Sequence, residues 1–198
     1  LGDVYKRQLM HWPGIVRNFM SLNDTVREIQ LADRTEVIPK PSHHFVNLLS
    51  TLRGDYYVFP LEQIGGHTVS GFASRTEDDL RIVVYSHHHE DTASLSEAVF
   101  EIGLSLHGLA WDRIHVREYR FDREHNSYYR FAEDRRALDL TERNRVYSEE
   151  DFAEVQELAK LQVTAAREYP VDSRGRVHIP VTVSGTGTNF VIVRGGGS

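Results

Sequence analysis

Residues 114–129 read Ile-His-Val-Arg-Glu-Tyr-Arg-Phe-Asp-Arg-Glu-His-Asn-Ser-Tyr-Tyr and carry the strongest structural signal in this chain. The first half is rich in β-branched and aromatic residues, which favours a strand that begins at Ile114. Alternation along that strand would place Ile114, Val116, Glu118 and Arg120 on one face and His115, Arg117, Tyr119 and Phe121 on the other. Neither face is uniformly apolar, so the strand is predicted from β-propensity more than from periodicity.

The second half of the stretch is dense in hydrogen-bonding groups. Six polar residues run from Asp122 to Ser127, and two tyrosines follow. Asp122 is placed to accept from nearby backbone N–H groups or from an arginine, and His125 could donate to a carbonyl while Tyr129 packs beneath it. We therefore predict a structured loop that ties surfaces together. The alternative is a solvated turn after an edge strand.

This stretch resembles a segment of glycoside hydrolase family 39, which includes β-xylosidases and α-L-iduronidases. The family's segment reads Tyr-Arg-Ile-Asp-x-x-His-Ser-Asn-x-Tyr, and the residues in register with it here are Tyr119, Arg120, Asp122, His125 and Tyr129. Phe121 replaces the family's Ile, Asn126-Ser127 inverts its Ser-Asn, and its following Trp is absent, with Phe131 nearby. We name the five matching residues the latch. The resemblance implies a distant member in which the latch has a structural role.

In that family the segment belongs to an accessory β-sandwich that follows a catalytic (β/α)8 barrel. The rest of the sequence fits a mainly β chain of this kind. Val99–Leu106 alternates apolar and polar residues, which is typical of a half-buried strand. Val177–Val183 alternates in the same way, and Phe190–Val193 follows a Gly-Thr-Gly turn. We therefore predict an antiparallel β-sandwich with one inserted amphipathic helix, preceded by a remnant of a (β/α)8 barrel.

Two helices are predicted. Ser148 resembles the N-cap of a helix whose apolar face holds Phe152, Val155, Leu158, Ala159 and Val163. An earlier helix should begin with Ser42 as its N-cap and end before Gly54, and its apolar stripe is Phe45, Leu48, Leu49 and Leu52. Lys40–Phe45 resembles the Lys-Pro-x-Tyr-x-x-Phe opening of the last barrel helix in this clan. Without its barrel, that stripe should be exposed.

These assignments divide the chain into three parts. Residues 1–8 resemble a translated sequencing adapter, and we expect them to be non-native, since the chain has no initiator Met. Residues 9–54 are predicted to be the end of the barrel, including its last helix. Residues 55–198 are predicted to be the C-terminal sandwich.

Composition excludes several functional classes. The net charge is −6 with 26% charged residues, which argues against a nucleic-acid partner. The chain has no cysteine, so it can form neither disulfides nor thiolate metal sites. No apolar run approaches the length of a membrane span, and no cofactor motif is visible. Localisation stays open, because cytoplasmic and secreted proteins both fit this composition.

The resemblance implies a retaining glycosidase that hydrolyses terminal glycosidic bonds with two glutamates, the acid/base following an Asn. No Asn-Glu pair occurs in this chain. Glu28 and Glu36 lack the strand-end context of a nucleophile, so no catalytic residue is assigned and the chain alone is expected to be inactive. Its partners would be the catalytic barrel of the same protein and, through it, a carbohydrate substrate. The alternative function is a stand-alone carbohydrate-binding or adhesion sandwich without catalysis.

A histidine-rich run, Ser86-His87-His88-His89-Glu90-Asp91, is the remaining motif. Side chains alternate along a strand, so His87 and His89 could share a side and ligate a metal with Asp91. A solvated hairpin loop after the Leu80–Tyr85 strand explains the same residues, and we favour it. No metal site is therefore predicted.

Overall fold

The computed structural model describes residues 26–88, 97–128, 131 and 146–196. Its secondary structure is mostly strands, and the elements within these ranges, in chain order, are β1 (Val26–Gln30), β2 (Thr35–Pro39), α1 (Pro41–Leu49), β3 (Asp55–Val58), β4 (Glu62–Ile64), β5 (His67–Arg75), β6 (Asp79–His88), β7 (Val99–Leu106), β8 (Arg113–Phe121), α2 (Glu149–Leu158), β9 (Ala165–Pro170), β10 (Val177–Ser184) and β11 (Thr188–Gly195). The chain divides into two compact units. Unit 1 takes in Leu1–Leu49 and Phe121–Gln162, and unit 2 takes in Ser50–Arg120 and Val163–Ser198.

Unit 2 is a β-sandwich built from a large and a small sheet. The large sheet has the strand order β3-β5-β6-β11-β8-β9, with β4 also paired to β5. The small sheet consists of β7 and β10 in antiparallel register, so that Leu104 lies opposite Ile179. Antiparallel pairing also joins β5 to β6 and β6 to β11. The predicted antiparallel sandwich is therefore confirmed, and in chain order α2 comes between its strands β8 and β9.

Alternate residues of both sheets fill the space between them, as sandwich packing requires. Ile179, Val181 and Val183 of β10 are buried while their neighbours face outward. The core is the set Ala73, Leu80, Ile82, Val84, Leu104, Leu109, Ile114, Val116, Ile179, Val181, Val183, Val191 and Val193. Burying each such aliphatic side chain is worth about 1.5–3 kcal/mol, which makes this layer the main source of the sandwich's stability.

Unit 1 combines the β1–β2 hairpin with α1, the loop after β8 and α2. Ser148 caps α2 as predicted, since its Oγ accepts from the Asp151 N–H at 3.0 Å. Three acidic residues follow in the first turn, where the positive end of the helix dipole favours them. The hairpin is joined to this helix by the Tyr147 N–H, which donates to the Gln30 carbonyl at 2.8 Å.

The structure corrects two expectations for α1. The helix begins at Pro41, so Ser42 lies inside it and is not the N-cap. Proline suits the first helical position because its missing N–H would have no helical partner there. The apolar stripe that we expected to be exposed is largely covered: Phe45 and Leu48 are buried and Leu49 is half-buried. Leu52 is buried as well, but it lies beyond the end of the helix at Leu49. Within unit 1, the Phe45 ring packs edge-on against Phe121 with centroids 5.4 Å apart.

No helix in the described part of the chain is long and apolar enough to cross a membrane. The barrel remnant predicted for residues 9–54 and the boundary at 54/55 stay predictions. Residues 1–25, which include the segment predicted to be non-native, lie outside the described residues.

Candidate functional site

The loop after β8 is organised by the carboxylate of Asp122. Its Oδ1 accepts from the backbone N–H groups of Glu124 at 2.9 Å and His125 at 2.8 Å. The His125 ring adds a third donor, with Nδ1 2.8 Å from the same oxygen and 3.1 Å from Oδ2. The Asp122 side chain is only 5% exposed, whereas that of His125 is 37% exposed. A carboxylate with backbone donors is the arrangement that fixes a tight turn.

Asn126, the next residue, links this loop to the segment after α2. Its Nδ2 donates to the Gln162 carbonyl at 3.0 Å, and the Gln162 N–H donates to its Oδ1 at 2.7 Å. Asn126 is buried and has φ +47°, the left-handed region that asparagine tolerates better than most residues. The Asn126 side-chain amide therefore both donates to and accepts from the main chain of Gln162, as the backbone of a neighbouring strand does.

Arg120 and Tyr119 precede the loop and belong to unit 2. The Arg120 N–H donates to the Thr164 Oγ1 at 3.1 Å, and its guanidinium donates to the Ser184 Oγ at 3.0 Å. Tyr119 is half-buried on the opposite face of β8 and lines a concavity of about 340 Å³ with His115, Arg117, Ile192, Arg194 and Gly195. The two side chains point away from each other, so they do not form one cluster.

Tyr129, the fifth latch residue, lies outside the described residues. The structure therefore brings Asp122 and His125 into direct contact and places Arg120 in contacts of its own. Whether the five residues together stabilise the fold stays a prediction.

A buried acid on β8 was not singled out from the sequence. Glu118 faces the sandwich interior at 5% exposure, and its Oε1 accepts from the Asn189 Nδ2 at 2.6 Å. Asn189 also donates to the Thr182 carbonyl at 2.8 Å. Glu118 and Asn189 are 71 residues apart in the chain, so their contact could not be predicted from the sequence. The only indication that Glu118 is buried was the alternation of β8, which places it on the same face as Ile114 and Val116.

The outer face of β8 and β9 carries exposed charges. Glu168 lies 2.9 Å from the Arg113 guanidinium and 3.1 Å from the His115 Nδ1. The hydrogen bond from Arg113 and the charge of His115 hold the pKa of Glu168 below its usual range. Exposed pairs of this kind contribute little to stability because water and salt screen them.

Glu28 and Glu36 are not arranged as a catalytic pair. In the β1–β2 register Glu28 lies opposite Val37, and Glu36 lies opposite Ile29. Directly opposed residues share a face, so the two glutamates project from opposite faces of the hairpin. Glu36 is instead held by the Arg34 Nε at 2.8 Å. Retaining glycosidases need two carboxyl groups about 5–5.5 Å apart, which this hairpin does not provide.

In the structure, His88 of the histidine-rich run lies beside His67. This pairing differs from the grouping of His87, His89 and Asp91 that the sequence suggested. His88 lies opposite His67 in the β5–β6 ladder, and their rings meet edge-on with centroids 4.7 Å apart. His67 is buried, with Nδ1 2.9 Å from the Ser86 Oγ. No group of three or more potential metal ligands occurs among the described residues. His89 and Asp91 lie outside the described residues.

Three solved enzymes share this fold. The crystal structure of the GH39 enzyme from Xanthomonas axonopodis pv. citri aligns with 80% of this chain at TM-score 0.59 and 12% identity. A monomeric β-xylosidase from Caulobacter crescentus CB15 aligns with 80% at 0.52 and 16%. A bacterial orthologue of human α-L-iduronidase aligns with 87% at 0.57 and 17%. This chain spans 31% of the length of each.

No protein-family profile and no curated protein matches the sequence. At these identities the structural likeness shows the fold alone. The resemblance to glycoside hydrolase family 39 that residues 119–129 suggested is thus confirmed at the level of three-dimensional structure.

Proposed function

From a fold shared with glycoside hydrolase family 39, we propose that this chain is the C-terminal portion of a retaining glycosidase that acts on β-xyloside-like bonds. The observation that carries the proposal is the coverage of the structural matches. They include 80–87% of this chain but 31% of each enzyme. Such asymmetry is what an accessory region of a larger enzyme would produce.

The chain's own contribution would be structural. Its sandwich would buttress a catalytic barrel, and residues 9–54 would be the last piece of that barrel. The Asp122 loop supports this role, because its buried carboxylate and its neighbour Asn126 are satisfied by backbone groups rather than turned toward solvent. Residues arranged in this way hold a loop in place.

The chemistry would belong to the rest of the parent enzyme. In a retaining mechanism one carboxyl group protonates the leaving oxygen while the other attacks the anomeric carbon, and water then releases the sugar. Those steps depend on a general acid/base and a nucleophile held by barrel strands. Glu28 and Glu36 would not form such a pair with each other, since they project from opposite faces of one hairpin.

The proposal is tested by extending the coding sequence upstream and expressing the parent protein. We expect an upstream (β/α)8 barrel with an Asn-Glu pair, and hydrolysis of an aryl β-xyloside that is lost when that glutamate becomes glutamine. Binding of the 198-residue chain itself to xylan is measured by affinity electrophoresis. An upstream region without a barrel, together with tight xylan binding by this chain, would instead support the carbohydrate-binding alternative.

A further inference from the structure

A concavity on the outer face of the large sheet gathers positively charged side chains. It lies between the neighbouring strands β8 and β11, within unit 2, and has a volume of about 340 Å³. We call it the β8–β11 concavity. Its lining consists of His115, Arg117 and Tyr119 from β8 and Ile192, Arg194 and Gly195 from β11. The three β8 residues share one face of the sheet because side chains alternate along a strand.

The core behind the two strands keeps the β8–β11 concavity in shape. Ile114 and Val116 of β8 point to the inner face, and so do Val191 and Val193 of β11. All four are buried, with at most 5% of their surface exposed. The lining side chains therefore project from a backbone that is fixed by packing. A ligand that binds here would have to order only the side chains themselves.

Two guanidinium groups in the concavity lack a close acidic partner. Arg117 has no hydrogen-bond or ion-pair partner among the described residues. Arg194 has the Asp79 carboxylate 4.0 Å from its Nε, and Arg81 holds that carboxylate more closely, at 2.7 Å. The chain as a whole carries a net charge of −6, so this local excess of positive charge opposes the overall balance. Like charges in a small space repel each other, and an anion between them would remove that repulsion.

The available polar side chains in the concavity are suited to donating hydrogen bonds. Both guanidiniums donate only, and the Tyr119 hydroxyl, which has no partner in the described part of the chain, can donate as well. His115 is already engaged, since its Nδ1 lies 3.1 Å from Glu168. A phosphate group matches this set, because it carries about −1.5 to −2 charge at neutral pH and has three strong acceptor oxygens. A carboxylate brings one charge and two oxygens in a plane.

We propose that the β8–β11 concavity is a binding site for a phosphate group. The guanidiniums of Arg117 and Arg194 would hold it from two sides, and the Tyr119 hydroxyl would donate to a third oxygen. Ile192 would contact the apolar part of a molecule that carries the phosphate. Small-molecule sites have volumes of roughly 300–1,000 Å³, so there is room for a small phosphate monoester as well as for free phosphate. This inference does not rest on the proposed function, since no carbohydrate chemistry enters it.

Isothermal titration calorimetry of the 198-residue chain tests the proposal with four probes. Glycerol phosphate and inorganic phosphate carry the phosphate group, malonate is a dianion without phosphorus, and glycerol is the neutral control. We expect both phosphates to bind at one site per chain, malonate to bind about ten-fold more weakly or worse, and glycerol to give no signal. Tighter binding of glycerol phosphate would assign the site to a phosphate monoester, whereas equal binding of the two would assign it to free phosphate.

Variants of the lining show whether the binding depends on this concavity. Arg117→Ala and Arg194→Ala should each weaken phosphate binding by about ten-fold or more. Arg117→Lys keeps the charge but loses the planar fork, so it should weaken binding less than Arg117→Ala. Arg174→Ala is the matched control, because it removes the same charge from the turn between β9 and β10, which does not line the concavity. Arg117 is exposed, so its variants should keep the native unfolding midpoint.

Backbone amide NMR shifts give the location independently of affinity. Phosphate should shift the amides of β8 and β11 and leave those of β7, in the other sheet, unchanged. The absence of binding by both phosphates would overturn the proposal. So would an equal loss of affinity in Arg117→Ala and Arg174→Ala, which would mean that phosphate responds only to the net charge of the chain. Malonate binding as tight as that of phosphate would overturn the assignment to a phosphate group.

Discussion

Asn126 and Gln162 form a reciprocal pair in which a side chain takes the place of a neighbouring strand. The Asn126 Oδ1 accepts from the Gln162 N–H at 2.7 Å, and the Asn126 Nδ2 donates to the Gln162 carbonyl at 3.0 Å. Both bonds use the main chain of Gln162, whose own side chain is exposed. Thirty-six residues separate the two positions in sequence, so the pair closes the long excursion that contains α2.

Asn126→Ala should lower the free energy of unfolding by about 2–3 kcal/mol, because it removes both hydrogen bonds to the Gln162 main chain. It also places an alanine, which lacks asparagine's tolerance of the left-handed region, at positive φ. Gln162→Ala is the matched control and should cost less than about 0.5 kcal/mol. Urea unfolding of both variants measures the difference. Equal effects of the two substitutions would mean that the pair contributes nothing specific.

The Asp122 carboxylate should be the main stabilising group of the latch. Asp122→Ala removes an acceptor for two backbone N–H groups and for His125, so we expect a loss of about 1–3 kcal/mol. Asp122→Asn keeps an acceptor for the backbone donors and should lose less. His125→Ala should lie at the lower end, since that ring is over a third exposed. Thermal unfolding that ranks Asp122→Asn as more harmful than Asp122→Ala would contradict this account.

Much of this fold could be predicted from local patterns. The alternation of β7 and β10 was strict enough to give their buried faces, and Ser148 followed by three acids predicted the start of α2. These signals are local because each depends on residues within a single element. β9 was missed, since Ala165–Pro170 is mostly exposed and shows no alternation. It is a strand because β8 supplies its hydrogen-bond partners.

The candidate site could be predicted only in part for a related reason. Asp122 and His125 are three residues apart, so their contact could be expected from the sequence. The burial of Glu118 depends on Asn189, and the pairing of His67 with His88 depends on strand register. Neither pairing could be predicted from the local sequence pattern, because the partners are far apart in the chain. The start of α1 was misplaced by two residues because Pro41 and Ser42 are both good helix-start residues.

The buried Glu118–Asn189 bond should be costly to break. Asn189→Ala leaves the Glu118 carboxylate and the Thr182 carbonyl without this donor in the sandwich interior. We expect a loss of about 1.5–3 kcal/mol, the range for hydrogen bonds to charged groups. Thr182→Ala is the control, because Asn189 contacts only its backbone and its hydroxyl meets the exposed Glu101. Chemical denaturation with both variants measures the contrast, and a loss below that of Thr182→Ala would show the bond to be dispensable.

The turn between β9 and β10 should give the sandwich an acid-sensitive contribution. The Asp172 Oδ1 accepts from the backbone N–H groups of Arg174 and Arg176, each at 2.9 Å. The bond from Arg176 is the largest cause that holds the pKa of Asp172 below its usual range. The folded state thus favours the charged carboxylate. Its contribution is present above the unfolded carboxyl pKa, about 3.9, and is lost as the pH falls through the lower folded value.

The stability gap between the native chain and Asp172→Asn should therefore be constant near neutral pH and shrink below about pH 4. Urea midpoints over a pH series measure it. Ser173→Ala in the same turn is the control, since it changes the loop without removing a titrating group. A stability gap that grows on acidification would mean that folding raises the pKa of Asp172 instead of lowering it, which would contradict this prediction.

The 198-residue chain alone should show no glycosidase activity on aryl xylosides or other aryl glycosides. Hydrolysis with retention needs an acid/base and a nucleophile within about 5–5.5 Å of each other, and Glu28 and Glu36 occupy opposite faces of the β1–β2 hairpin. Glu36 also forms an ion pair with Arg34, whose Nε lies 2.8 Å from its Oε1. Release of nitrophenol should stay at the buffer rate, and Glu28→Gln and Glu36→Gln should leave that rate unchanged.

Turnover that survives repeated purification and falls in either variant would place the nucleophile in this chain. It would also mean that the hairpin belongs to an active site rather than to the end of a barrel.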